Sequence, residues 1–84
     1  MKKIRVGLFG FGKTGKLVAG EFIKDDRFAL KWVVQRTKRR GESFASRLLG
    51  YETKTGAIRA VDQLDPGFFQ KNPVDVLVDF SSAQ

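Results

Sequence analysis

Six consecutive residues near the start of this 84-residue chain, Gly10-Phe11-Gly12-Lys13-Thr14-Gly15, have the types and spacing to hold a phosphate. In the pattern G-x-G-x-x-G the first glycine permits a tight turn and the second lets the backbone approach a pyrophosphate. The third lets the following helix pack close to the preceding strand. The free N–H groups at the helix start then face the anion. The surrounding sequence supplies the required context. Ile4 to Phe9 is an apolar-rich run that reads as a strand. Lys13 to Lys24 turns helical, with Leu17, Val18, Phe22 and Ile23 expected on one face. Lys13 falls in the first helical turn, where the helix dipole disfavours a cation by roughly 0.3–1 kcal/mol and a bound phosphate would reverse that sign. A solvated lysine explains the same residue without any ligand.

The same stretch satisfies a rival pattern. Gly7-Leu8-Phe9-Gly10-Phe11-Gly12-Lys13-Thr14 fits G-x-x-x-x-G-K-[ST], the phosphate loop of nucleoside triphosphatases. Val76-Leu77-Val78-Asp79 would then stand for the apolar strand and aspartate that help to hold magnesium. That alternative requires Gly7 to open the loop, which leaves a strand of only Lys2 to Val6 with three cations in it. A central parallel strand is nearly continuously apolar, so the first strand is expected to run on through Leu8 and Phe9.

A second cluster lies after Phe28 to Val34 (FALKWVV), which reads as the second strand. In the dinucleotide-binding fold an acidic residue at this place, about 20 positions past the glycines, accepts hydrogen bonds from the adenosine ribose. Here the place holds Gln35, followed by Arg36-Thr37-Lys38-Arg39-Arg40. Glutamine keeps a hydrogen-bonding group without repelling a 2′-phosphate. Arg36 offers that phosphate a planar fork, and Thr37, Lys38 and Arg39 offer further donors. NADP is therefore the expected cofactor, with NAD the alternative. The competing reading is a basic loop that is merely solvated.

The elements that must position these groups alternate. Phe44, Ala45, Leu48 and Leu49 make a short helical face closed by Gly50. Ala57 to Val61 reads as a short strand, and Asp62 as the cap of a turn that includes Leu64. Asp65-Pro66-Gly67 breaks the pattern, Phe68-Phe69 is expected to pack beneath another short helical segment, and Val74 to Phe80 is a strand. Strands alternating with helices imply parallel strands joined by right-handed crossovers. The expected fold is α/β: a single Rossmann-like domain over 1–84, a half-Rossmann sheet of four parallel strands in the order 3-2-1-4 with helices on both faces. Its last strand would lie at an edge, where self-association is expected.

Composition narrows the chemistry. The chain has no cysteine and no histidine, which excludes thiolate sites, the usual zinc ligand and every Ser-His-Asp arrangement. The net charge is +7, but four of the 16 cations lie between Arg36 and Arg40, and the rest leave 12 cations against 9 anions. Such local basicity fits one anionic group at one place better than a nucleic-acid footprint. There is no 18-residue apolar run and no signal-like start, so no membrane partner and a cytoplasmic location are expected.

With these pieces placed, the chain resembles the N-terminal domain of the dihydrodipicolinate reductase (4-hydroxy-tetrahydrodipicolinate reductase) family over nearly all of its length. The matching segments are Ile4-Arg5-Val6-Gly7-Leu8-Phe9-Gly10-Phe11-Gly12, Arg36 after the second strand, and Val78-Asp79-Phe80-Ser81. Diaminopimelate dehydrogenase and other amino-acid dehydrogenases open similarly. The resemblance implies an NADH- or NADPH-dependent reductase of an unsaturated cyclic dicarboxylate on the route to diaminopimelate and lysine. It further implies that Phe80, Ser81 and Ser82 lie beside the nicotinamide ribose. Many family members carry an acidic residue where Gln35 stands. The family's catalytic histidine and lysine belong to a C-terminal substrate domain, which is expected to be a partner missing from this chain. The 84 residues would then bind NADP(H) but be inactive alone. A stand-alone nucleotide-sensing module is the alternative from another functional class.

Overall fold

The computed structural model of the chain describes residues 2–36 and 43–80. Four strands, β1 (Ile4–Phe9), β2 (Phe28–Gln35), β3 (Ala57–Ala60) and β4 (Val76–Asp79), form one sheet in the order β3-β2-β1-β4. Every neighbouring pair is parallel. The connections carry α1 (Lys13–Lys24), the four-residue α2 (Ala45–Leu48), a 3-10 turn at Val61–Gln63 and the four-residue α3 (Phe68–Lys71). This is the half-Rossmann arrangement expected from the alternation of strands and helices. Among the described residues no helix is long and apolar enough to cross a membrane.

One face of the sheet carries the main core. Val6 and Leu8 of β1, Leu30 and Val33 of β2 and Ile58 of β3 pack with Ala19 of α1 and Ala45 of α2. Phe22, Ile23, Phe28, Leu49, Val78 and Phe80 surround them, partly buried. The expected apolar face of α1 is corrected at one position. Leu17 points outward and is 69% exposed, while the helix buries Gly15 and Ala19. Side chains at 17 and 19 stand about 200° apart around a helix, so one of them must face away. The small pair wins because it brings the helix axis close to the sheet.

The opposite face is aromatic. Trp32 is 2% exposed and meets Phe9, Phe68 and Phe69 edge-on, with ring centroids 5.6, 5.5 and 5.7 Å away. Its indole Nε1–H donates to the Asn72 carbonyl at 3.0 Å, which ties the turn before β4 to the sheet. The ring lies across β1 at Gly7, where an added methyl group would overlap it. A break in register makes this possible. Val6 stands opposite Leu30, but Gly7 stands opposite Trp32, so Lys31 is an extra residue in β2. A β-bulge of this kind shifts all later side chains by one. Leu30 therefore faces α1 while Trp32 faces α3.

The remaining boundaries differ slightly from expectation. β2 extends to Gln35, β3 stops at Ala60, and β4 begins at Val76 rather than Val74. Asp75 instead binds Arg5, whose guanidinium and backbone N–H both donate to its carboxylate. Asp62 is not a cap. The Gln63 side chain accepts the Ala60 N–H at 2.9 Å and closes the 3-10 turn. Gly50 follows α2 with φ +92°, as a glycine beyond a helix end should.

Two outcomes test this packing. Gly7→Ala should destabilise the fold by about 1–3 kcal/mol through overpacking. Because the clash is with one ring, Gly7→Ala and Trp32→Leu should be strongly non-additive in denaturant titrations of the single and double variants. At the turn between α1 and β2, the Arg27 side chain and then its backbone N–H hydrogen-bond Asp25, lowering that carboxyl from 3.8 to about 2. A depressed folded-state pKa stabilises above the unfolded value and is lost as pH falls through the folded one. The stability difference between the parent and Asp25→Asn should therefore be constant near neutrality and close between about pH 4 and pH 2.

Candidate functional site at the ends of β1, β2 and β4

The C-terminal ends of β1, β2 and β4 are tied together by backbone bonds. Gly10 donates its N–H to the Val34 carbonyl at 2.7 Å, and Phe80 donates to the Phe9 carbonyl at 2.7 Å. β1 connects outward to β2 on one side and lies against β4 on the other, so the strand order reverses at this point. In open α/β sheets, that reversal at the carboxyl ends is where a crevice for ligands opens.

The three glycines of the turn do three different things. Gly10 has φ +96°, a conformation that side chains with a Cβ rarely adopt, and so makes the sharp exit from β1. Gly15 packs against the Gly10 carbonyl so closely that a Cβ there would collide with backbone. Gly12 is the contrast. Its backbone is in an ordinary extended conformation, φ −79° and ψ −159°, and a Cβ built on it meets nothing within 4 Å. Among the described residues nothing requires glycine at 12, nor at Gly20 within α1; what sets Gly12 apart is its place between Gly10 and Gly15 at the start of the helix.

Gly12 is the residue preceding α1 and makes no side-chain cap. The first turn of the helix carries Lys13 and Lys16 and no acidic residue. That charge pattern opposes the helix dipole and suits a bound anion. Lys13 and Thr14 are exposed beside the turn. Phe11 is the exception among the expected contact residues, being 5% exposed and part of the main core. Its ring anchors the turn, with the Lys16 ammonium 5.7 Å from the ring centroid, so only its backbone is available to a ligand.

At the end of β2, Gln35 is half-buried opposite Ala60 of β3, and Arg36 is exposed just beyond it. Both lie at the same end of the sheet as the glycine turn. Phe80 is half-buried against the core, next to Phe9. Thr37, Lys38 and Arg39, like Ser81 and Ser82, lie outside the described residues.

Gly7 lies inside β1 and beneath Trp32. It does not open a phosphate loop, and its glycine identity has a packing explanation that the sequence pattern did not reveal. Among the described residues no group of three or more acidic, histidine or cysteine side chains is placed to hold a metal. An open depression lined by Glu21, Phe22, Lys24 and Asp25–Phe28 lies at the far end of α1, away from the glycine turn. Comparison with known proteins finds no matching family model, no matching curated protein and no matching solved structure.

The glycines separate by what they touch, and so should their variants. Gly12→Val should leave the thermal transition within a few degrees of the parent, since its new atoms enter open space. Gly15→Ala should lower stability by about 1–3 kcal/mol, because the atom it meets is backbone and cannot swing aside. Thermal melts of the two variants beside the parent check both outcomes.

Proposed function

We propose that these residues bind NADP(H), as the cofactor-binding part of a reductase resembling dihydrodipicolinate reductase. The observation that carries the reading is Gly12: a glycine unexplained by its own backbone or neighbours, between two glycines that each have a structural reason. A pyrophosphate needs that empty approach and the helix start behind it. When bound, the nicotinamide gives or takes a hydride.

The chain's own residues divide the binding work. The backbone around Gly10, Phe11 and Gly12, with the first turn of α1, meets the pyrophosphate, while Lys13 and Thr14 supply charge and a hydroxyl at its margin. Gln35 and Arg36 meet the adenosine ribose and its 2′-phosphate, joined by Thr37, Lys38 and Arg39. Phe80, Ser81 and Ser82 border the nicotinamide ribose. The reductase substrate, by the same resemblance, is an unsaturated cyclic dicarboxylate, bound by a C-terminal substrate domain.

Side-by-side titrations of NADPH, NADH and magnesium-ATP test the proposal. NADPH should bind about five- to thirtyfold more tightly than NADH at low salt, reflecting one partly screened charge-assisted contact. The margin should narrow as salt rises. Arg36→Ala should weaken NADPH and barely change NADH, and Gln35→Glu should reverse the preference. Gly12→Val should abolish binding of both while the protein stays folded. Equal affinity for NADPH and NADH would remove the 2′-phosphate assignment, and magnesium-dependent ATP binding alone would replace the dinucleotide reading.

A further inference from the structure

At the end of β1 a single peptide unit serves both neighbouring strands. The Phe9 carbonyl accepts the Phe80 N–H on the β4 side, and the N–H of the same peptide, from Gly10, donates to Val34 on the β2 side, each at 2.7 Å. Among the described residues this is the last rung of both ladders, and the chain then turns away at Gly10 with φ +96°. A peptide unit is planar and resists twisting, so its one orientation sets both strand ends. The side chain on that unit is wedged. The Phe9 ring meets Trp32 edge-on, centroids 5.6 Å apart, and lies tilted against Phe69 at 6.2 Å, while Trp32 and Phe69 are 5.7 Å apart. The three rings close a triangle. Trp32 is fixed in turn by the Asn72 carbonyl and by its place over Gly7. Phe69, from the four-residue α3, is 45% exposed.

We propose that Phe9, with Phe69 as its wedge, is a positioning residue for the half of the dinucleotide that lies beyond the pyrophosphate. For its ligand this inference rests on the NADP(H) reading. A dinucleotide at a switch point sets its pyrophosphate at the first turn and one nucleoside half to each side. With the adenosine half assigned to Gln35 and Arg36 beside β2, the other half falls on the side of β4. The two sides are anchored differently. The turn is pinned by Gly15 and the buried Phe11, and the end of β2 is laddered to β3 as far as Gln35 opposite Ala60. Phe80 is joined to β1 through the Phe9 carbonyl. Loosening the Phe9 ring therefore shifts the β4 side of the crevice and leaves the β2 side in place. The rings touch no part of the adenosine half, yet they set where the other half must lie.

The experiment compares NADPH with adenosine 2′,5′-bisphosphate, which has the adenosine half and no nicotinamide half, by calorimetric titration of the chain and its variants. Phe69→Ala and Phe9→Leu each remove ring contacts and should weaken NADPH about three- to tenfold. The bisphosphate should change by less than about twofold. Phe69→Tyr keeps the ring and should match the parent. Phe22→Leu removes a comparable pair, Phe22 with Phe28, at the far end of α1 and should change neither ligand. Amide exchange reads the same device without a ligand. In Phe69→Ala the Phe80 N–H should lose about tenfold more protection than the Ile58 N–H, which is bonded to Ser43 across the sheet. Phe69 is nearly half exposed, so its variants keep the fold even where Phe9→Leu does not. Equal weakening of both ligands overturns the proposal, and so does a Phe80 amide that loses no more protection than that of Ile58. A parent that binds neither nucleotide overturns the NADP(H) reading instead, and the exchange rates then decide alone whether the rings hold the strand end.

Discussion

Where Gly15 meets the Gly10 carbonyl, the backbone of a helix touches the backbone of the turn that precedes it, with no side chain between them. Much else follows from that contact. It sets how near α1 lies to β1, and Ala19 one turn later continues the same close approach. It also fixes where α1 begins, just after Gly12 and beside the ends of the strands. The proposed site of backbone amides would be only as rigid as the backbone that carries it. Here that rigidity comes from the Gly10 N–H bonded into β2 and the Phe11 ring buried beneath. Preorganised donors bind an anion without first having to be ordered.

The other face of the sheet solves a different problem with the same device. Leu30 lies on the α1 side, and the extra residue Lys31 turns Trp32 to the other side. Once there, it needs a flat place to lie, which Gly7 provides. A four-residue helix offers little surface of its own, so α3 covers that face by presenting two phenylalanines to one indole. The Asn72 carbonyl accepts the ring N–H, so burying the indole does not leave its one polar group without a partner.

The elements, their order and the parallel sheet were legible in the sequence because the periodicity switches cleanly at glycines and prolines. The glycine turn was legible in the same way, from spacing and context together. Three features were not. The bulge at Lys31 hides within FALKWVV, where a nearly continuous apolar run leaves no alternation to reveal a slip. The outward turn of Leu17 was missed because a hydrophobic pattern counts large residues and gives no weight to Gly15 and Ala19. The role of Gly7 resembled part of a phosphate-binding pattern, and only the position of the indole gives it another meaning. In each case the deciding contact is between elements far apart in sequence, or between backbones, which side-chain patterning does not record.

The pairing of β1 on its two sides also sets an order of assembly. Its first partner is close at hand, since Ile4 pairs with Phe28. Its second is remote: Arg5 and Asp75, bonded at the start of the β1–β4 junction, are 70 residues apart. Contacts of such high sequence separation close the largest loop and form late. During synthesis the β1–β2 unit can therefore collapse on α1 well before β4 has left the ribosome. Until then the central strand of the finished sheet is itself an open edge. The aromatic face waits with it, since the Asn72 carbonyl that receives the indole N–H lies only four residues before β4.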